Sequence, residues 1–300
     1  MTLGESCPAC GSDGWVADAL AARILALPTK IGVVRCKTCG LGRLYPYFSE
    51  REIVELYGAA YFGDGIPDRS FAGVSAPTVN YEADLVPARL AKFRSTIRRL
   101  CGLHPNGKSI LDFGAATGAF MAVAAAESLQ ADGVELSAHA IAVGKAKYGV
   151  KIRQGGVEAI PARRYDFIHL HHVFEHLSHP WRDLQALTDR LATGGLLYLE
   201  VPYQGHALER MRYRLARAPV GRATLLSFHH PYFYTPSSLA RMLRRAGLEL
   251  VSERCFVASN YPAHSLVNAV KKAGWWALDR FANLGVLIEI IGRRPDQLIR

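Results

Sequence analysis

The chain has 300 residues, half of them hydrophobic and 21% charged, with a formal net charge of +10. This is a globular composition with material for a core. No apolar run reaches the ~18 residues of a membrane span. The opening MTLGESCPAC lacks the basic start and apolar centre of a secretion signal, so a cytoplasmic protein is expected. Residues 205–300 hold a net charge of +9 and residues 1–204 only +1. A basic C-terminal third favours an anionic partner, such as nucleic acid, a phosphorylated substrate or membrane headgroups, or is simply a solvated face.

Four of the six cysteines form two pairs, Cys7-Pro-Ala-Cys10 and Cys36-Lys-Thr-Cys39, each followed by glycine (Gly11, Gly40). Two such knuckles can point four thiolates at one ion. The expected result is a closed, tetrahedral, structural zinc site on Cys7, Cys10, Cys36 and Cys39. Disulfides fit poorly without secretion, and a redox pair needs only one motif. Cys101 and Cys255 are isolated and read as small buried hydrophobes. Residues 1–46 are therefore expected to form a zinc ribbon, too small for much core of its own and dependent on the metal.

Residues 47–100 read as a helical linker or lid. An amphipathic helix is expected over 45–63, and a Gly-, Pro- and Ser-rich connection over 64–80. Helical spacing follows over 81–100, with a basic face of Arg89, Lys92, Arg94, Arg98 and Arg99.

The most informative segment is KSILDFGAATGAFMAVAAAESL, residues 108–129. It predicts a strand over 110–113, a tight turn of small residues from Gly114 to Gly118, and a helix from Phe120 to Leu129. Strand, small-residue turn and helix open a Rossmann-like sheet and let a ligand approach the backbone. A second strand ends in Glu135, where a carboxylate can accept hydrogen bonds from both hydroxyls of a ribose. Ala116 stands where a dinucleotide fingerprint wants glycine. Asp112, at the strand end, repels phosphate and welcomes an ammonium group or a water shell. Further strands are predicted at 151–153, 166–170, 196–201, 249–257 and 286–292, with helices filling most gaps as right-handed crossovers require.

The strings ILDFGAATG, GVELS, YDFIHLHHVFEHLSHPWRDLQALTDRLATGGLLYLEVPY and FHHPYFYTPSSLARMLRRAGLEL resemble, in order and spacing, class I S-adenosylmethionine (SAM)-dependent methyltransferases. The most similar group is that of types 11, 12 and 23, many of which carry an N-terminal zinc ribbon. The resemblance covers about residues 85–257, and the paired cysteines extend it to the N-terminus; Ala116 is the departure. It implies an α/β fold, a Rossmann-like seven-stranded sheet, parallel except for one strand, with helices on both faces, over a methyltransferase domain of residues 101–300. It implies SAM as cofactor, held by Asp112, Gly114, Ala115, Gly118, Glu135, Leu136, Val157, His171, Glu175 and His176.

His172, Glu175 and His176 spell H-x-x-E-H, the spacing of inverted zinc proteases. Such a protease needs the motif inside a long helix. Here a strand runs into it and Pro180 follows closely. In the resembling family, E-H after this strand occurs with many substrates, which implies a structural role for Glu175 and His176. Some quinone-precursor O-methyltransferases bind a divalent ion through E-x-x-E-H, but His172 replaces the first acid. His172 is the expected general base, because imidazole can take a hydroxyl proton near neutral pH. His229 and His230 are the competing bases, ahead of a helix with Thr235 as cap and Pro236 in its first turn.

Two long connections, 203–230 and 258–285, are expected to face the substrate. The first holds Arg210, Arg212, Arg214, Arg217 and Arg222. The second is amphipathic and suits a lid, a dimer face or a shallow membrane anchor. The expected acceptor is anionic: a nucleotide sugar, a lipid-linked glycan at the inner membrane face, or another small molecule, methylated on oxygen. The alternative is ribosomal or transfer RNA, gripped by the ribbon and the basic C-terminal third. A non-catalytic SAM-fold binding protein is the third reading. Neither the oligomeric state nor the methylated atom is legible.

Overall fold

The computed structural model describes residues 5–24, 31–46, 87–203, 230–256, 285 and 287–296. The helix expected over 45–63 does not begin at Tyr45, which ends a strand; its remainder from residue 47, the linker over 64–80 and His229 lie outside these residues. So do the connections 203–230 and 258–285, apart from Tyr203, His230 and Gly285.

Two sheets organise the chain. The smaller has four strands in the order β1 (Trp15–Ala17), β2 (Gly32–Cys36), β3 (Gly42–Tyr45) and β9 (Tyr232–Phe233), with every neighbouring pair antiparallel. A short helix α1 (Ala19–Ile24) joins β1 to β2, and the Asp18 carboxylate accepts from the Ala21 amide at 3.1 Å to cap its first turn.

The larger sheet has seven strands: β4 (Ser109–Phe113), β5 (Gln130–Glu135), β6 (Ile152–Gln154), β7 (Tyr165–His171), β8 (Leu191–Pro202), β10 (Glu249–Phe256) and β11 (Leu287–Arg293). Their spatial order is β10-β11-β8-β7-β4-β5-β6. Only β11 runs against its neighbours, as expected; the other contacts are parallel. Each strand expected from residue 110 onward is present within a few residues of its place.

Helices α2 (Pro87–Leu103), α3 (Ala119–Ala126), α4 (Ala138–Tyr148), α5 (Pro180–Asp189) and α6 (Pro236–Arg245) complete the fold. Strand alternation sends successive side chains to opposite faces, and two cores result. Ile110, Phe167, Leu196 and Tyr198 pack with Phe93, Ile97 and Leu100 of α2 and Phe120 and Val123 of α3. Leu111, Ile168, Leu197 and Leu199 face the other way, against Leu184 and Leu187 of α5 and Leu239, Met242 and Leu243 of α6. Cys7, Trp15 and Leu41 of the small sheet's segment join that second core. The small module thus shares its apolar interior with α6.

Candidate active site

β4 and β7 are adjacent and parallel, with Asp112 opposite His169 in register. Their carboxyl ends open into a cleft of about 500 Å³, lined by Asp112, Gly114, Ala115, Phe120, His169 and His171 together with Arg89 and Phe93 of α2. This is where a parallel sheet presents its ligand.

The turn after β4 is tightened from both sides. The amides of Gly114 and Ala115 both donate to the Val134 carbonyl, at 2.8 and 3.0 Å. Gly114 has φ +79°, and a β-carbon there would lie 2.3 Å from Val173 Cγ2, so only glycine fits. Ala116, at φ +49°, also turns left-handed, which explains why the pattern prefers glycine at its position. Gly118 ends the turn as the residue before α3.

Glu135 closes the cleft at the end of β5. Its Oε2 accepts from the Ala116 amide and its Oε1 from the Ser137 amide, both at 2.9 Å. Each oxygen keeps a second lone pair for a ligand hydroxyl. Burial raises the Glu135 carboxyl above its usual range, against the opposing pull of those amides. Leu136 follows and is 65% exposed, and Val157 opens the 3-10 turn Val157–Ala159.

Asp112 and His169 form a buried pair, with His169 Nδ1 donating to Asp112 Oδ1 at 2.8 Å. The His169 ring stacks on Phe120 at 3.6 Å and faces Tyr198 at 5.2 Å. Beside it, His171 Nε2 lies 3.3 Å from Glu200 Oε1. Burial first, then the charge of neighbouring His172, holds the His171 imidazole down to about 3, so it is neutral at physiological pH. Glu200, on β8, is fully buried and pairs with the Lys92 ammonium of α2. Burial works against its charge, but the hydrogen bond from His171 and the charges of Lys92 and His172 outweigh it, and the carboxyl stays below its usual range. The Tyr198 hydroxyl lies 2.7 Å from Glu200 and 3.1 Å from Glu289, and its one proton goes to the nearer, Glu200. Arg254 grips Glu289 through two hydrogen bonds, 2.8 and 2.6 Å, and Arg99 joins it. A continuous polar line thus crosses the sheet beneath the cleft.

His172 leaves the strand with φ +55°, a conformation that side chains rarely adopt and that clusters at functional sites. Its amide donates to the Glu200 carbonyl at 2.9 Å. Its Nδ1 lies 3.3 Å from Glu175 Oε1, its Nε2 lies 3.7 Å from Glu200 Oε1, and the side chain is 37% exposed. Glu175 and His176 sit in a single 3-10 turn, Phe174–His176. The His176 ring meets that of His230 at 4.6 Å. The H-x-x-E-H string is therefore a strand end, a left-handed residue and one turn, with no helix to hold a protease metal. Its histidines fall into different groups: His172 with His171 and Glu200, His176 with Glu175 and His230. Lys92 already supplies the cation in the first group. In the second, Glu175 Oε2 is buried without a hydrogen-bond partner.

The four knuckle cysteines come together on the small sheet. Cys7 and Cys39 sulfurs are 3.6 Å apart, as are those of Cys10 and Cys36, and all four lie within 4.8 Å of one another. These are free thiols, far beyond the ~2.05 Å of a disulfide. Tetrahedral thiolates about 2.3 Å from a zinc ion stand about 3.8 Å apart, so the donor set fits that ion. The knuckle turns are closed by the Gly11 amide on the Cys7 carbonyl at 2.7 Å and the Gly40 amide on the Cys36 carbonyl at 3.0 Å.

A sequence-family profile described as "Methyltransferase domain" matches residues 86–253, more than half of the chain. The chain belongs to this family. It is a SAM-dependent methyltransferase. A search of curated proteins gave no match. Among solved structures, the plantazolicin methyltransferase BpumL, bound to S-adenosylhomocysteine (SAH), is similar with a TM-score of 0.50 and 15% identity, covering 72% of this chain and 88% of that one. A SAM-dependent methyltransferase from Archaeoglobus fulgidus has a TM-score of 0.46 and 17% identity, covering 68% and 94%. A Thermotoga maritima protein described as a possible histamine N-methyltransferase has a TM-score of 0.46 and 19% identity, covering 71% and 94%. The likeness to BpumL speaks for the fold.

Of the candidate cofactor residues in the methyltransferase, Asp112, Gly114, Ala115 and His171 line the cleft directly. Gly118 and Glu135 shape its turn. Glu175 and His176 stand behind His172. Sequence reading missed His169 and Glu200, and it placed Arg89 and Lys92 only on a basic helix face. Strand alternation puts His169 and His171 on one face, and that was the available signal. Glu200 gave none, because its charged partners come from two distant segments, Lys92 of α2 and the histidines at the end of β7. Among the described residues, no helix is long and apolar enough to cross a membrane.

Proposed function

We propose that this methyltransferase transfers the SAM methyl group to a hydroxyl of an anionic small molecule, a sugar, nucleotide sugar or lipid-linked glycan, with His172 as general base. The observation that supports this most is the placement of His172. It is strained, partly exposed, flanked by two carboxylates and adjacent to His171 in the cleft wall. When bound, SAM supplies a methyl group already activated on a sulfonium sulfur, so alignment is the main demand on the protein.

The turn from Gly114 to Gly118 would admit the cofactor to the backbone, Asp112 would hold its ammonium group, and Glu135 would accept from its ribose hydroxyls. Leu136 and Val157 would border the adenine. His171, neutral near physiological pH, lines the cleft and rests against the Lys92–Glu200 pair. Glu175 holds one nitrogen of His172 and leaves the other to take the acceptor's proton as the oxygen–methyl bond forms. His230, in contact with His176, lies on the acceptor side. Cys7, Cys10, Cys36 and Cys39 would hold a zinc ion in a closed site with a structural role.

The test is transfer of labelled methyl from SAM into cell extract separated into RNA, soluble and lipid fractions. Label in the soluble or lipid fraction that survives ribonuclease is expected. Label that ribonuclease removes overturns the glycan reading and makes the basic C-terminal third an RNA surface. On the acceptor so found, His172→Gln should lower kcat by about 10²–10⁴-fold with SAH affinity unchanged. A loss confined to KM would remove His172 as base.

A further inference from the structure

We infer that the four-cysteine module is a positioning element for the acceptor side of the methyltransferase, setting the place of His230 through the ends of α6 and through β9. The inference rests on the reading that His172 and His230 face the acceptor.

Each knuckle is held by α6 at a backbone carbonyl. The Thr235 hydroxyl, at the helix N-cap, donates to the Cys39 carbonyl at 3.1 Å. Arg245, in the last turn, donates to the Pro8 carbonyl at 2.9 Å, with its guanidinium 4.0 Å above the Trp181 ring. One helix therefore spans both halves of the thiolate site. Its start is fixed by a capping box, in which Thr235 accepts from the Ser238 amide and Ser238 accepts from the Thr235 amide.

The segment before that helix is part of the module's own sheet. Phe233 pairs with Gly42 and Tyr232 with Arg43, and the Leu44 amide donates to the Pro231 carbonyl at 3.0 Å. Residue 230 is one step further. From its ring the contacts run to His176, along the 3-10 turn to Glu175 and then to His172. Drawing four thiolates onto one ion fixes the spacing of the knuckles. Thr235, Arg245 and β3 carry that spacing to His230. The cofactor turn from Gly114 to Gly118 is braced by Val134 and Val173 instead. Metal occupancy therefore acts on the acceptor side and leaves the cofactor side alone.

The experiment compares zinc-loaded and chelator-treated full-length protein by amide hydrogen exchange, by the imidazole NMR resonances of His176 and His230, and by calorimetric SAH binding. Because metal removal can unfold the module, Gly42→Ala is measured alongside. It keeps every thiol but places a β-carbon 3.1 Å from the Phe233 side chain, pressing β3 against β9. Metal removal and Gly42→Ala should each speed exchange over residues 231–235 by about tenfold or more and shift the His230 resonance. SAH affinity should stay within twofold, and Gly42→Ala should retain its zinc. An unchanged segment with normal SAH binding overturns the positioning role alone. SAH binding lost in step with the metal also overturns it, since the module would then support the whole domain. Wild-type protein that binds no SAH overturns the reading of the site beneath it.

Discussion

At Ala116 the backbone turns left-handed, φ +49°, in a region that costs an L-residue about 1–2 kcal/mol. Glycine adopts it freely but loses more freedom on folding. Ala116→Gly should therefore stabilise the protein by about 0.5–1 kcal/mol in urea unfolding, and a loss of stability would show that the alanine methyl packs usefully. The sequence marked Ala116 as a departure but could not say that it shared the glycine conformation. His171 makes a prediction about pH. A histidine titrates near 6.5 when unfolded and here near 3, so the unfolded chain binds the extra proton between those values. Stability should be complete above about pH 6.5 and fall as the pH drops, by about 3 kcal/mol at pH 4. Glu200, also held low, adds to the fall below its unfolded value near 4.3. Thermal melts across pH should show the loss, and His171→Gln should flatten it between pH 6.5 and 4.5.

Strand β8 shows what periodicity reveals and what it hides. Its apolar run from Leu196 was legible. At its start only Leu191 pairs with Tyr165 of β7; the Thr-Gly-Gly that follows lies in an irregularity before Leu196 meets Phe167, and it reads as a turn. Helix α3 stops at Ala126, short of the expected Leu129, because Ser128 turns left-handed at φ +67°. The start of α6 was readable from Thr235 and Pro236 because capping chemistry is local. Glu200 was not readable: alternation in LYLEVP puts Tyr198 on its face, but nothing there tells that Lys92 and His171 converge on the same carboxylate. Glu200→Gln should cost about 3 kcal/mol by leaving the Lys92 charge without its partner. Lys92→Met should cost a similar amount, and the double variant clearly less than the sum. Additive losses in denaturant melts would show that the pair is not coupled.

The seven-stranded sheet could be laid out from sequence because most of its parallel crossovers pack a nearby helix. The small sheet could not. Tyr232-Phe233 is too short to show alternation, and its partner β3 lies far back in the chain. Two features of the large sheet's helices also draw the module in: the shared core and the grip of α6 on both knuckles. Leu41, fully buried at that junction, tests the union. Leu41→Ala should cost about 3 kcal/mol, and the whole protein should lose stability in one transition. A separate early melt of the N-terminal segment would mean that the two parts unfold independently.

The pairing of β3 with β9 also sets an order of events during synthesis. The knuckle cysteines leave the ribosome first, but the strand that completes their sheet, and the threonine and arginine that clasp their turns, emerge only after the cofactor turn and most of the large sheet. A nascent chain must therefore carry a three-stranded module with an open edge through most of its translation, in the interval when unpaired edges invite wrong partners. With zinc bound as proposed, early capture of the metal would protect the unfinished module, and the step most exposed to a shortage of zinc would be the making of the enzyme.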